Sequence, residues 1–230
     1  MKKYTHLFFD LDHTLWDGHN SSAESIVALY NTYNMKQYNI VSADDFVTAF
    51  HEINYQLWDD LENHRITRNE VIDTRFKLLL AKFDLENDNM AANLAIDYHK
   101  TQKTQLVYMP NTRNVLSYLK SKYTLHIFTN SPNPQSVERK IVDIKHYFTE
   151  IIGSYSSGYS KPHTISFETA LEKAGAEIHH SLMIGDSQST DIIGAVNMGM
   201  DCVWLNQRKR VVLAQPTYEI SSLSELMQLL

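Results

Sequence analysis

FFDLDHTLWD, residues 8–17, decides how the rest of the chain is read. An apolar run, Leu7-Phe8-Phe9, stops abruptly at two aspartates, Asp10 and Asp12, one residue apart. A short continuous apolar run is the pattern of a strand buried on both faces, and its end is where the backbone reaches solvent. Side chains on an extended chain repeat every second residue, so the two carboxylates point roughly the same way. Like charges that close disfavour joint ionisation. A cation, a shared proton or a chemical task has to compensate.

Outward from that strand, the chain changes texture twice. From Ser21 to about Leu106 four helical patterns follow one another with no convincing strand between them. Ser21-Ser22-Ala23-Glu24 has capping-box spacing and precedes a stripe of Ile26, Leu29, Tyr30 and Tyr33. Ser42 opens a second helix striped by Phe46, Phe50, Ile53 and Leu57. Thr67 and Glu70 form a third box, and a fourth helix runs from about Asp88. From Pro110 onward, strands and helices alternate. Asn111 is placed to cap a helix through Leu119; residues 123–128 read as a strand; Asn133-Pro134 starts a helix as cap and first position. A short strand around Ile151, a helix ending at Gly175, the strand SLMIGD, a helix from Asp191 to Met198 ending at Gly199, the strand DCVWL and a last strand at residues 218–220 complete the series. Such alternation predicts an α/β fold, a Rossmann-like doubly wound parallel sheet. The helical block is then an insertion: residues 1–16 and 110–230 form the α/β core, and residues 17–109 form a helical cap.

Composition narrows the function. The 230 residues are 43% hydrophobic and 21% charged, ordinary for a soluble globular protein. No apolar run approaches the roughly 20 residues of a membrane helix, and Asp10 and Asp12 interrupt the N-terminal stretch too early for a signal peptide. Cys202 is the only cysteine, which rules out an internal disulfide and suits the cytoplasm. A net charge of -6, with Arg208-Lys209-Arg210 as the one basic cluster, argues against a nucleic-acid polymer as partner. The expected partner is a small molecule, with no membrane, and the chain is expected to be a monomer or weak homodimer.

In open α/β sheets the ligand site lies outside the carboxyl ends of the strands, and the informative residues fall there. Asp10 and Asp12 follow the first strand; Thr129 and Asn130 follow LHIF; Lys161 sits in the loop after the Ile151 strand; Asp186 ends LMIG, with Asp191 five residues on. Carboxylates, a hydroxyl, an amide and an ammonium gathered from four strand ends suit a phosphate group and a divalent cation, since hard cations such as Mg²⁺ take oxygen ligands. A carboxylate can also serve as a nucleophile and form an aspartyl-phosphate. Each motif alone is weak; their joint order, each behind its own strand, is not.

FFDLDHT, HIFTN, SKP and MIGDSQSTDIIGA together resemble the haloacid dehalogenase superfamily of phosphohydrolases over essentially the whole chain. The helical insertion resembles that family's helical cap. LWDDLENHRITRNEVIDTRF (residues 57–76) and PTYEISSLSELMQLL (residues 216–230) are similar to the house-cleaning pyrimidine 5′-nucleotidases within it. One departure is Ser154-Tyr155-Ser156-Ser157-Gly158, where relatives often carry acidic residues. The resemblance implies Asp10 as nucleophile and Asp12 as general acid, then general base. It implies Mg²⁺ on Asp10, the backbone carbonyl of Asp12, and Asp186. Phosphate oxygens would lie on Thr129, Asn130 and Lys161. Thr14 would fix the nucleophile loop, and Asp191 would orient Lys161 or a metal-bound water. Trp58, Arg65 and Arg75 are the candidates for contact with the leaving group, on a cap expected to move as a lid about linkers near residues 16–18 and 108–110. A sugar-phosphate or phosphoglycolate phosphatase and a phosphomutase are the alternatives on the same fold. A 2-haloacid dehalogenase would need neither Asp12 nor a metal, and a non-enzymatic phosphate-binding module would not fill every catalytic position.

Overall fold

The computed structural model describes residues 4–62, 65–102, 104, 106–207 and 209–230. Met1-Lys2-Lys3 and Arg208 of the predicted basic cluster therefore lie outside the described residues, as do Asn63 and His64 of the quoted cap segment. The chain divides into two compact units, Met1–Asp17 with Tyr108–Leu230, and Gly18–Val107. The first division falls after Asp17 and the second before Tyr108 because backbone bonds tie both connecting segments to the sheet unit. Trp16 and Tyr108 form an antiparallel bridge, and Met109 N donates to Leu15 O at 2.9 Å.

Among the described residues the sheet unit holds six parallel strands in the order β3-β2-β1-β4-β5-β6. They are β1 (His6–Phe9), β2 (Thr124–Thr129), β3 (Glu150–Gly153), β4 (Ser181–Gly185), β5 (Asp201–Leu205) and β6 (Tyr218–Ile220). Period-two alternation divides each apolar run between two packed faces. Leu7, Phe9, Leu125, Ile127, Leu182, Ile184, Val203 and Leu205 face one layer, with Val115, Leu116, Leu119, Val137 and Leu226. Phe8, Phe128, Met183, Cys202 and Trp204 face the other, with Phe167, Ala170 and Ala195. Burial on both faces is why the strands read as continuous apolar runs rather than alternating ones.

The helical unit contains α1 (Gly18–Thr32), α2 (Ala43–Glu62), α3 (Arg68–Ala81) and α4 (Asp88–Gln102), packed on Ile26, Leu29, Phe46, Phe50, Phe76, Leu79, Leu94 and Tyr98. The Thr67 box forms, with Thr67 and Glu70 bonding reciprocally. The Ser21 box does not. α1 begins at Gly18, and its serine hydroxyls turn back onto the preceding turn, Ser22 Oγ to His19 O at 2.7 Å and Ser25 Oγ to Ser21 O at 2.8 Å.

In the sheet unit the helices are α5 (Thr112–Lys120), α6 (Pro134–Lys140), α7 (Thr164–Ala174), α8 (Ile193–Met198) and α9 (Leu226–Leu229). Asn133 caps α6 as expected, accepting from Gln135 N and Ser136 N. Asn111 precedes α5 in the left-handed region, φ 64°, and its side chain makes no capping bond. The helix expected from Asp191 is preceded by a widened helical turn, Gln188–Ile192. Among the described residues no helix is long and apolar enough to cross a membrane.

His126, fully buried on β2, has Nε2 2.9 Å from His6 Nδ1 and its ring stacked on Phe8 at 4.8 Å. Burial, and then the neighbouring His6, hold its pKa down at about 4; burial also lowers that of His6. Between about pH 6.5 and 4 the unfolded chain takes up a proton here that the folded chain refuses, so stability falls as pH drops through that window. The loss attributable to His126 reaches about 3 kcal/mol at the acid end. Urea midpoints measured from pH 7 to 4.5 should fall more steeply for the wild type than for His126→Leu; parallel curves would contradict a neutral buried imidazole.

Candidate active site

Asp10 follows β1, the strand flanked by β2 and β4, so it stands at the centre of the sheet's carboxyl edge. Its backbone N–H donates to Ile184 O at 2.8 Å, which prolongs the β1–β4 ladder into the loop. The chain then turns sharply. His13 takes φ 66°, Trp16 N donates to Leu11 O at 2.9 Å, and His13 N donates to Trp16 O at 2.8 Å. Backbone bonds therefore close this turn. Thr14, expected to fix it, is fully buried with Oγ1 making no hydrogen bond among the described residues.

Lys161 is the hub. Its ammonium, only 3% of the residue being exposed, donates to Asp10 Oδ1 at 2.8 Å, Asp191 Oδ1 at 2.6 Å and the Phe128 carbonyl at 2.7 Å. Asn130 fixes that lysine's backbone. Its Oδ1 accepts from Lys161 N at 2.7 Å, and its Nδ2 donates to Lys161 O at 3.0 Å. Thr129 Oγ1, at the end of β2, accepts from Ser131 N at 3.2 Å. Asp191 has both oxygens engaged, Oδ2 accepting from Ser187 N at 3.1 Å, and it lies so close to β4 that a Cβ on Gly185 would meet Oδ2 at 2.2 Å. Only glycine fits there.

Asp10, Asp186 and Asp191 offer ligand oxygens that all lie within 4.8 Å of one another. Asp10 and Asp191 share the buried Lys161 ammonium, and the third carboxylate, Asp186, is paired with Arg210 at its more exposed edge. Burial pushes the Asp10 carboxyl up to about 7 against the pull of Lys161, with Asp191 and Asp12 adding to the rise. Asp191 is raised as well, by burial and then by Asp186, again opposed by Lys161. Burial works against the charge on Lys161, but the two carboxylates outweigh it and keep the lysine protonated. Such an excess of buried negative charge is what a divalent cation relieves, and oxygen-only donors suit Mg²⁺. The donor set fits the expected ligands Asp10 and Asp186, with Asp191 committed to Lys161 and Ser187.

Asp12 is not part of this cluster. Its carboxylate pairs with Lys140, whose ammonium also lies 4.2 Å from the centre of the Trp16 ring. Lys140 carries no local signal in the sequence; two turns of helix beyond the Asn133 cap bring it back over the first loop. Arg210, which the sequence marks only as part of a basic cluster, has Nη2 3.6 Å from Asp186 Oδ2.

The helical unit's three candidates stand in different surroundings. Trp58 is 38% exposed. Arg65, between α2 and α3, pairs with Asp59 and Asp60 near the end of α2. Arg75 is buried, donates to Asn54 Oδ1 at 2.9 Å and lies 4.8 Å from the Tyr98 ring centre, also facing Phe50 and Phe76. This arginine is enclosed by its own unit's aromatic rings, a packing role that helical spacing alone does not distinguish from an exposed contact.

Residues 7–205, a span covering β1 to β5, match the model of the haloacid dehalogenase-like hydrolases. The chain is 31% identical to the pyrimidine 5′-nucleotidase PynA of Streptococcus pneumoniae, over 99% of this chain and 95% of that one. It is also 31% identical to a glyceraldehyde 3-phosphate phosphatase of Pyrococcus furiosus, over 100% and 94%. Among solved structures, the magnesium-bound HAD-hydrolase YfnB of Bacillus subtilis superimposes with a TM-score of 0.86 at 29% identity, covering 99% of both chains. With the aspartate, lysine and Gly-Asp motifs seated at adjacent strand ends and the family model matched through β5, the chain belongs to the haloacid dehalogenase-like hydrolase family, as a phosphatase.

Proposed function

We propose that the protein is a Mg²⁺-dependent phosphatase acting through an aspartyl-phosphate on Asp10, and that its substrates are pyrimidine nucleoside 5′-monophosphates. The observation that carries the chemistry is the cluster of Asp10, Asp186 and Asp191 around Lys161, with Asp12 two residues from the nucleophile. In the first step an Asp10 oxygen bonds to phosphorus as the ester P–O bond breaks, and Asp12 gives its proton to the departing alkoxide. In the second, water loses a proton to Asp12 and bonds to phosphorus, and the P–O bond to Asp10 breaks, releasing orthophosphate. A positioned proton carrier is worth about 10²–10⁴ in rate. Lys161 stabilises the Asp10 carboxylate and the charge on the transferred group. Mg²⁺ held by Asp10, the Asp12 carbonyl and Asp186 would neutralise phosphoryl charge. The nucleotide assignment is supported by the relative PynA; the second reading, a small sugar-phosphate phosphatase, by the Pyrococcus furiosus relative.

Release of orthophosphate from a panel of phosphomonoesters tests both levels. Chelator should lower turnover of an aryl phosphate by at least about 100-fold, and added Mg²⁺ should restore it; undiminished turnover in excess chelator would remove the metal from the reaction. Uridine and thymidine monophosphates should exceed glyceraldehyde 3-phosphate, hexose phosphates and phosphoglycolate in kcat/KM by roughly 5- to 150-fold. That range corresponds to about 1–3 kcal/mol of base stacking, and part of it should be lost in Trp58→Ala. Faster turnover of a sugar phosphate than of every pyrimidine nucleotide would leave the phosphatase and replace the substrate.

A further inference from the structure

Beyond β5 the chain leaves the catalytic edge through a loop that is fastened from both sides. Asn206, buried at the end of β5, accepts from Arg210 N at 2.8 Å through Oδ1. Its Nδ2 donates to Arg210 O at 3.1 Å and to Glu219 Oε1 at 2.7 Å. Gln188, buried in the turn after Asp186, accepts from Leu213 N at 3.1 Å and Ala214 N at 2.9 Å through Oε1. Two buried amides thus hold the backbone of one arginine and of the residues just beyond it. The arginine's own head reaches Asp186, at 3.6 Å. That distance is an ion pair without a tight hydrogen bond, and the Arg210 side chain is 43% exposed, so the head can leave for solvent at little cost.

The charge pattern gives this contact a meaning. Lys161 serves Asp10 and Asp191; Arg210 serves Asp186. We propose that Arg210 is a stand-in cation: it neutralises Asp186 when the metal is absent, gives way when the metal binds, and so sets the affinity of the site for divalent cations. This rests on the cation assigned under the proposed function. A guanidinium that prefers the empty site stabilises the metal-free enzyme and opposes the incoming charge. Linkage requires the two effects to be equal and opposite.

Titrating Mg²⁺ into chelator-stripped protein by calorimetry tests this without any activity measurement. Arg210→Gln should bind Mg²⁺ tighter by about 3- to 10-fold, the size expected for one half-exposed charge beside the site. Arg210→Lys should stay near the wild type, and Arg210→Glu should bind tighter still. Arg210→Gln should also melt lower than the wild type without cation, and level with it in saturating Mg²⁺. An arginine that only braces the loop would lower both melting points and leave the affinity unchanged. Equal or weaker Mg²⁺ binding by Arg210→Gln would overturn the stand-in role while leaving the phosphatase reading intact. Absence of Mg²⁺ binding by the wild type would overturn the cation assignment and the stand-in with it.

Discussion

Asp10→Asn should reduce turnover by on the order of 10⁵-fold, the scale seen when a nucleophile is removed from an enzyme that works through a covalent intermediate. An amide at this position cannot carry the phosphoryl group. Two neighbouring carboxylates are engaged elsewhere: Asp191 has both oxygens bound, and Asp12 is held by Lys140. The variant should still fold, because the backbone bond from residue 10 to Ile184 O does not depend on the side chain. Losing one of three crowded carboxylates even relieves repulsion, while Lys161 keeps Asp191 as its partner. Orthophosphate release, with thermal melting as the folding control, separates these effects; near-normal turnover would remove Asp10 from the reaction. Asp12→Asn belongs beside it, with a loss of about 10²–10⁴. If Asp12 protonates the leaving group, that loss should be larger for alkyl than for nitrophenyl phosphates.

The part of this site that is legible in the sequence is the part encoded by position along a strand. Leu7-Phe8-Phe9 announces a strand buried on two faces, and Asp10 stands at its end for that reason alone. Lys161 and Asp186 are legible in the same way. What the sequence hides are contacts whose partner lies far along the chain. Lys140 reaches Asp12 and Arg210 reaches Asp186 only after helix α6 and the loop beyond β5 have packed back on the sheet. Arg75 shows another kind of hidden contact. It is a candidate for contact with the leaving group, and rings from α2, α3 and α4 enclose it, which helical spacing does not disclose. Ser21 lies inside α1, which begins at Gly18, and the neighbouring Ser22 and Ser25 hydroxyls bond back to carbonyls; a hydroxyl can do this or cap a helix start, and spacing does not choose between them. Asn130 and Thr129 were placed at the right strand end, but the hydrogen bonds that engage their side chains run to Lys161 and Ser131, which motif order does not disclose.

Lys161→Met should cost both activity and stability, and the stability loss carries a sign that identifies its cause. The ammonium is almost fully buried and donates to two carboxylates and one carbonyl. Methionine fills much of the stem's volume but leaves Asp10 and Asp191 buried without their cation. Breaking a buried pair from one side costs about 3–5 kcal/mol, or roughly 10 °C in melting temperature for a chain of this size. The carboxylates can escape by taking up protons. Asp10 already sits near 7 with Lys161 present, and removing the lysine drives it, and Asp191, higher. A carboxyl whose pKa is raised on folding binds its proton in the folded state, so the stability it confers is present at low pH and lost as pH rises through the folded value. The gap between Lys161→Met and the wild type should therefore be small near pH 5.5 and large at pH 8. Mg²⁺ should narrow it at pH 8, since a divalent cation answers the same excess charge. Lys161→Arg should not rescue, because a planar fork does not fit a site built for three bonds to one nitrogen. Melting curves at the two pH values, with and without Mg²⁺, decide the matter. Equal destabilisation at both would assign the loss to packing around the lysine stem and remove Lys161 from its place as the counter-charge of the cluster.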